Sequence, residues 1–222
     1  MEVKAIITGA SGMVGKGVLL ECLENPNVKE VLVINRSSIN IQHPKLKELL
    51  TKDFYNLADI ENGINGYNAC FFCLGTSSVG KSEEEYSKIT HDLTLSFAEK
   101  VLKYNEGMTF CYVSGTGTDS TEQGSVMWAR VKGRTENAIL NLPFKNAYMF
   151  RPGYIQPLKG TKTKVMAFHI LYSVLRPFYP IFRHFPKSFT DTVKIGKAMI
   201  NTVVKGYDKE HLETIDINKL SE

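Results

Sequence analysis

Val3–Gly15 reads VKAIITGASGMVG, and the order of its residues decides the fold. Val3 to Thr8 is an apolar run of the kind a central parallel strand carries when it is buried on both faces. Three glycines follow at a spacing of three, and a helical pattern runs from Met13 to Glu24, stopping at Asn25-Pro26. Gly9 permits a tight turn, Gly12 lets the backbone approach a pyrophosphate, and Gly15 lets the helix pack on the strand. The helix N-terminus then faces the anion. Gly9, Ser11, Gly12, Met13, Val14 and Gly15 therefore form the candidate phosphate loop of a dinucleotide site.

Outward from that loop, short β-rich runs alternate with longer helical ones. Lys29 to Asn35 reads as a second strand, Leu49 to Phe54 as a weaker third, and Tyr67 to Leu74 as a strong fourth. Glu83 to Tyr104 places Tyr86, Ile89, Leu93, Phe97 and Val101 on one helical stripe. Thr109 to Ser114 is a fifth strand. Gly124 to Leu142 is a helix with Trp128, Val131, Ala138 and Leu142 near one stripe, and Asn146 to Arg151 is a sixth strand. Regular alternation predicts the α/β class: a doubly wound parallel sheet of the Rossmann type with helices on both faces, joined by right-handed crossovers. The expected organisation is one domain over 1–222, with a small, mostly helical cap at about 155–190 on the substrate side.

Cofactor choice is read at the end of the second strand. An NAD-preferring domain usually has an acid there for the ribose 2′-OH. This chain has Asn35-Arg36-Ser37-Ser38. A guanidinium and hydroxyls without a carboxylate suit the 2′-phosphate of NADP, with NAD as the alternative.

Bulk properties narrow the classes. The chain has 222 residues, 43% apolar and 23% charged, with a formal charge of +4. Its basic residues are spread rather than clustered, which argues against a nucleic-acid partner. Cys22, Cys70, Cys73 and Cys111 make no disulfide framework in a chain this long. Cys70 and Cys73 lie in an apolar strand, pointing to opposite faces as small hydrophobes. His43, His169, His184 and His211 lack the spacing of a metal or triad site, so no metal is expected. The opening MEVKAIITGASG has no signal-peptide layout, and a reducing cytoplasm is the expected location.

After Pro152 the pattern changes. Lys164 to Leu175 is apolar almost all round and is interrupted by Arg176-Pro177, Pro180 and Arg183. The segment 164–183 is too short and broken to span a membrane. It can serve as a lid or pocket wall, a homo-oligomer surface, or a peripheral membrane contact. A last helix is expected over Thr190 to Val204, and the tail from Gly206 is polar.

With the TGxxGxxG loop, Asp53-Phe54, Leu74-Gly75-Thr76, Ser114, Lys132 and Arg151-Pro152-Gly153 in this order, the chain resembles the short-chain dehydrogenase/reductase superfamily. Within it, the chain looks like the atypical NAD(P)-binding branch near the epimerase/dehydratase-like and Tat-interacting-protein-like members. The resemblance spans about residues 3 to 160. It implies that Asp53 and Phe54 lie by the adenine, and that Leu74, Gly75 and Thr76 pass along the ribose and phosphates. It also implies that Ser114 polarises a substrate carbonyl, that Lys132 holds the nicotinamide ribose, and that Pro152 and Gly153 border the nicotinamide. Ser114-Gly115-Thr116-Gly117 also suits simple turn chemistry.

Two positions depart from that pattern. The family tyrosine four residues before Lys132 is Trp128, and an asparagine of the preceding helix corresponds to Thr90. Both replaced groups belong to the family's proton relay. An indole N–H does not do the acid–base work of a phenol, so proton delivery falls to Tyr154, His91 or a water beside Ser114 and Lys132. Two readings follow. One is an NADP(H)-dependent oxidoreductase for a carbonyl or quinone-like small molecule. The other is a non-catalytic NADP(H)-binding sensor. An epimerase would itself need a base where Trp128 stands.

Overall fold

A computed structural model describes residues 1–55, 63–161 and 185–222. The main sheet has seven strands: β1 (Val3–Thr8), β2 (Val28–Asn35), β3 (Leu46–Leu50), β4 (Ala69–Phe72), β5 (Thr109–Val113), β6 (Asn146–Arg151) and β9 (His211–Glu213). Their spatial order is β3-β2-β1-β4-β5-β6-β9, and every pairing is parallel. The order reverses between β1 and β4, which opens a crevice at the carboxyl ends of those strands.

The pleat sorts side chains between two cores. Ala5 and Ile7 of β1, with Val31, Val33, Phe71 and Cys111, face helix α1 (Met13–Glu24) and helix α5 (Thr192–Val204). Ile6, with Leu32, Ile34, Cys70, Phe72, Phe110 and Tyr112, faces helix α3 (Leu93–Tyr104) and helix α4 (Met127–Leu140). Burial on both faces is what the unbroken apolar runs of these strands require. The doubly wound α/β reading holds. Cys70 packs in one core and Cys73 against the other, and all four cysteines are free thiols.

Four features depart most from expectation. The third strand is Leu46–Leu50 rather than 49–54. Leu50 pairs with Asn35, the last residue of β2, so residues 51–54 have no strand to lie against. They form a turn in which the Thr51 hydroxyl donates to the Asp53 carbonyl. The long helix is divided into α2 (Glu83–Ser87), a π-helical turn (Lys88–Asp92) and α3. The wider turn shifts the buried stripe to Tyr86, Thr90, Thr94 and Phe97, and Ile89 is exposed.

The polar tail folds instead as β9 and α6 (Thr214–Leu220). Leu212, Ile217 and Leu220 are buried, and Asp216 accepts from Tyr207 and Lys209. The α4 stripe also runs differently: Ala129, Val131, Gly133, Thr135, Glu136 and Ile139 are buried, whereas Trp128, Ala138 and Leu142 are only partly so.

The apolar segment 164–183, with its lid, oligomer and membrane readings, lies outside the described residues, as do His169, His184 and most of the expected cap at 155–190. At the cap's two ends, β7 (Tyr154–Gln156) and β8 (Phe189–Asp191) pair in parallel as a separate two-stranded sheet. Among the described residues, no helix is long and apolar enough to cross a membrane.

Candidate cofactor and active site

The glycine loop has the geometry of an anion cradle. Gly9 sits at φ +70°, and a Cβ there would lie 2.6 Å from the Cys73 carbonyl oxygen. Only glycine meets both demands. The Gly12 N–H donates to the Gly9 carbonyl at 2.9 Å, closing the turn. A Cβ on Gly15 would collide with the Gly9 carbonyl, so α1 starts tight against the loop. Gly12 caps α1 with no side-chain hydrogen bond and no acid stands in its first turn, leaving the positive helix end open. Met13 and Val14 supply that first turn.

Beside the loop, two buried polar atoms have no partner among the described residues: the Thr8 hydroxyl at the end of β1 and the Asn35 side-chain nitrogen at the end of β2. Such orphans are unusual in a finished core and mark places where a ligand can supply the missing bond. Cradle and orphans together fit a dinucleotide.

A cavity of about 310 Å³ opens at the same sheet edge, lined by Arg36, Lys52, Asp53, Phe54, Tyr55, Leu74, Gly75, Thr76, Ile89 and Leu93. It brings together Arg36, Asp53, Phe54, Leu74, Gly75 and Thr76, all picked from sequence as cofactor contacts. Phe54 is a buried wall, its ring centroid 6.1 Å from that of Phe97. Lys52, Tyr55, Ile89 and Leu93 were missed. Lys52 carried no motif, and Ile89 faces outward only because the π turn rotates it.

Ser37 is exposed and does not line this cavity. The stretch Asn35 to Ser38 carries no acid of its own, but a carboxylate of the next strand reaches it. Glu48 of β3 accepts from the Ser38 hydroxyl at 2.7 Å and the Ile39 N–H at 2.9 Å. That acid is engaged by the loop and is absent from the cavity lining. Arg130, Arg134 and Arg151 are each held by a carboxylate. Arg36, among the described residues, has none.

At the other end of the crevice, Lys132 of α4 donates through Nζ to the Ser114 carbonyl. Burial pulls the Lys132 ammonium down to about 8, and Glu136 one turn later draws it partly back up. The Ser114 hydroxyl donates to the Phe150 carbonyl at 3.0 Å. Ser114 and Lys132 are thus brought together, with the serine proton directed at β6.

Trp128 is half-buried against the loop after β5, where a Cβ on Gly117 would stand 3.6 Å from its indole. That loop is tied down by Asp119, which accepts from Thr121 and Gly124 and whose own N–H donates to Ala129 of α4. Thr90 is buried in the π turn.

Of the alternative proton donors, the Tyr154 hydroxyl donates to Gln156 at 3.0 Å, with its ring on Phe189. The His91 Nδ1 faces Asp92 at 2.8 Å. Pro152 accepts from the Thr116 N–H, and Gly153 donates to Thr214. A Cβ on Gly153 would lie 2.5 Å from the Ser188 carbonyl, so this glycine also serves packing. Among the described residues, no group of acidic, histidine or cysteine side chains could hold a metal.

Fold and loop define the class: a Rossmann-type protein of NAD(P)-binding architecture, built like the short-chain dehydrogenase/reductases. A short-chain dehydrogenase family protein of Francisella tularensis superimposes with a TM-score of 0.64 at 14% identity, over 93% of each chain. WbmF of Bordetella bronchiseptica, solved with NAD+, gives 0.67 at 13% identity over 98% of this chain and 77% of its own. At these identities the likeness is one of fold.

In sequence, the chain is related to the protein HTATIP2 of Rattus norvegicus, 28% identical over 158 residues, covering 70% of this chain and 64% of that one. It is also related to the protein FMP52-1, mitochondrial, of Scheffersomyces stipitis, 28% identical over 153 residues, covering 68% and 66%. The chain spans just under two thirds of the length of these two relatives. No family model matches it. The resemblance to the atypical branch of the superfamily is borne out by these relatives.

Proposed function

We propose that the protein is an NADP(H)-dependent oxidoreductase of specialised scope, acting on a carbonyl or quinone-like small molecule. The observation that carries this reading is the placing of Lys132 against the end of β5, across the crevice from a cradle and cavity that suit a dinucleotide. Arg36 and Lys52 at the cavity support NADP, because two cations favour a phosphate dianion over a ribose hydroxyl, and the Asp53 carboxylate in the same lining accepts from the Tyr55 N–H. The solved neighbours whose descriptions name a cofactor name NAD, and NAD is the competing ligand.

When bound, the nicotinamide supplies the hydride. The first-turn N–H groups of Met13 and Val14 would hold the pyrophosphate, and Phe54 would wall the adenine. Lys132 would bind the nicotinamide ribose and stabilise negative charge developing on a substrate oxygen. Trp128 offers a flat apolar face for an aromatic substrate and excludes water on that side. It donates no proton, so a water beside Ser114 and Lys132 takes that part. Missing general acid catalysis typically forfeits about 10²–10⁴-fold in rate. Quinones tolerate the loss best, because their reduced forms are weakly basic.

A second reading, a non-catalytic NADP(H) sensor, is favoured by Trp128 in the place of the phenol and by the engaged Ser114 hydroxyl. Loss of NADPH absorbance over a panel of quinones, aldehydes and ketones separates the two. The oxidoreductase reading expects wild type to reduce quinones, Lys132→Ala to lose that activity, and Trp128→Tyr to extend it to ketones. Tight NADPH binding with no turnover in wild type overturns it in favour of the sensor. For location we propose a reducing compartment, supported by four free thiols. The word mitochondrial belongs to the fungal relatives' names, and cell fractionation decides between that organelle and the cytoplasm.

A further inference from the structure

Glu136 is a carboxylate with none of its side chain exposed, one helical turn beyond Lys132 on α4. Arg151, at the end of β6, reaches it with a fork: Nε lies 3.0 and 3.2 Å from the two carboxylate oxygens, and a terminal nitrogen also donates. That same terminal nitrogen donates to Ser120, and the other terminal nitrogen lies 3.6 Å from Glu213. His211 of β9 stands 3.5 Å from the same carboxylate. A buried ion pair gives little stability over apolar side chains of the same volume. The pair therefore asks for a use beyond holding α4 to the sheet.

We infer that Glu136 is the positioning residue for Lys132. Clamped by Arg151, it sets the rotation of α4 that aims Lys132 at the end of β5, and it keeps a negative charge beside an ammonium that has left water. The inference rests on the reading that Lys132 contacts the cofactor. Residues at i and i+4 share one helix face, so the clamp and the lysine turn together. The other charged or titratable groups facing this point are Arg151 from β6, His211 and Glu213 from β9, Tyr112 from β5 and Tyr86 from α2.

The test is the pH dependence of NADPH affinity, followed by fluorescence from about pH 6 to 10, a window that holds both the wild-type midpoint and one a unit lower. In wild type, affinity should fall as pH rises through about 8, where Lys132 loses its proton. Removing the carboxylate disfavours the charged lysine, so Glu136→Gln should move that fall down by about one pH unit. Glu136→Asp, which keeps the charge, should restore most of the wild-type profile. Should Glu136→Gln not fold, the double variant Glu136→Gln/Arg151→Met leaves no unpaired buried charge and must show the same downward move.

A variant that loses thermal stability but keeps the wild-type midpoint makes Glu136 a packing residue only and overturns the inference. Lys132→Met separates the other failure. If that variant keeps the wild-type pH profile, it is the cofactor role of Lys132 that is wrong.

Discussion

Gly75 lines the cavity between Leu74 and Thr76, with open space where a Cβ would stand and no positive φ. Folding alone does not demand glycine there. The proposed dinucleotide, passing over the strand end, would demand it, because a methyl group would intrude on it. Gly75→Ala should therefore leave the melting temperature unchanged while weakening NADPH at least about fivefold, since one added methyl in a filled site costs about 1–3 kcal/mol. Calorimetry beside a thermal melt checks this, and equal affinity removes Gly75 from the site. Gly9, Gly12 and Gly15 were legible in sequence because their stereochemical demands act within a few residues. Lys52, Glu48 and Glu136 were not. Each gains its meaning from a partner brought close only by the sheet, and none belongs to a motif. Trp128 was legible as a departure, yet its half-buried place against Gly117 is set by the loop that Asp119 organises.

At the scale of elements, α1 is held at the right height by α5. A Cβ on Gly17 would lie 2.6 Å from the Cβ of Thr192, and one on Gly196 would lie 2.7 Å from Glu21. Two bare helix surfaces thus meet, with the α5 start fixed by Asp191, which accepts from the Lys194 N–H at 2.8 Å. Gly17→Ala should cost about 1–3 kcal/mol in urea unfolding through overpacking. The roughly 1 kcal/mol that alanine gains over glycine in a helix does not offset it, because the clashing atom of Thr192 is anchored to backbone. The affinity for NADPH should fall as well, since α1 carries the anion cradle, and a variant as stable as wild type would refute this packing. Apolar runs made β1, α1 and β6 readable to their ends. The π turn was hidden because a single extra residue leaves the three-and-four spacing nearly intact. The last strand and helix were hidden because three residues of strand carry too little pattern, and the burial there relies on polar contacts around Asp216.

Across the whole molecule, the reversal of strand order between β1 and β4 gathers the cradle, Arg36 and the cavity at one edge. β5 brings Ser114, and α4 brings Lys132, to the neighbouring strand end. Local runs of sequence were enough to imply this arrangement, because alternating strands and helices admit few right-handed topologies. The substrate side was less legible: its walls depend on the loop after β5 and on the chain beyond Pro152, where no periodic pattern ties residues to roles. The central claim, that this crevice is built for a dinucleotide carrying a 2′-phosphate, rests on Arg36 and Lys52 lining one cavity, Arg36 having no carboxylate partner among the described residues and Asp53 of the same lining accepting from the Tyr55 N–H. Calorimetric titration of the purified protein with NADPH and with NADH tests it most directly. NADPH should bind at least about ten times more tightly, a difference of about 1.4 kcal/mol, and Arg36→Ala should erase most of that margin. Equal affinities for the two, or tighter binding of NADH, would contradict it.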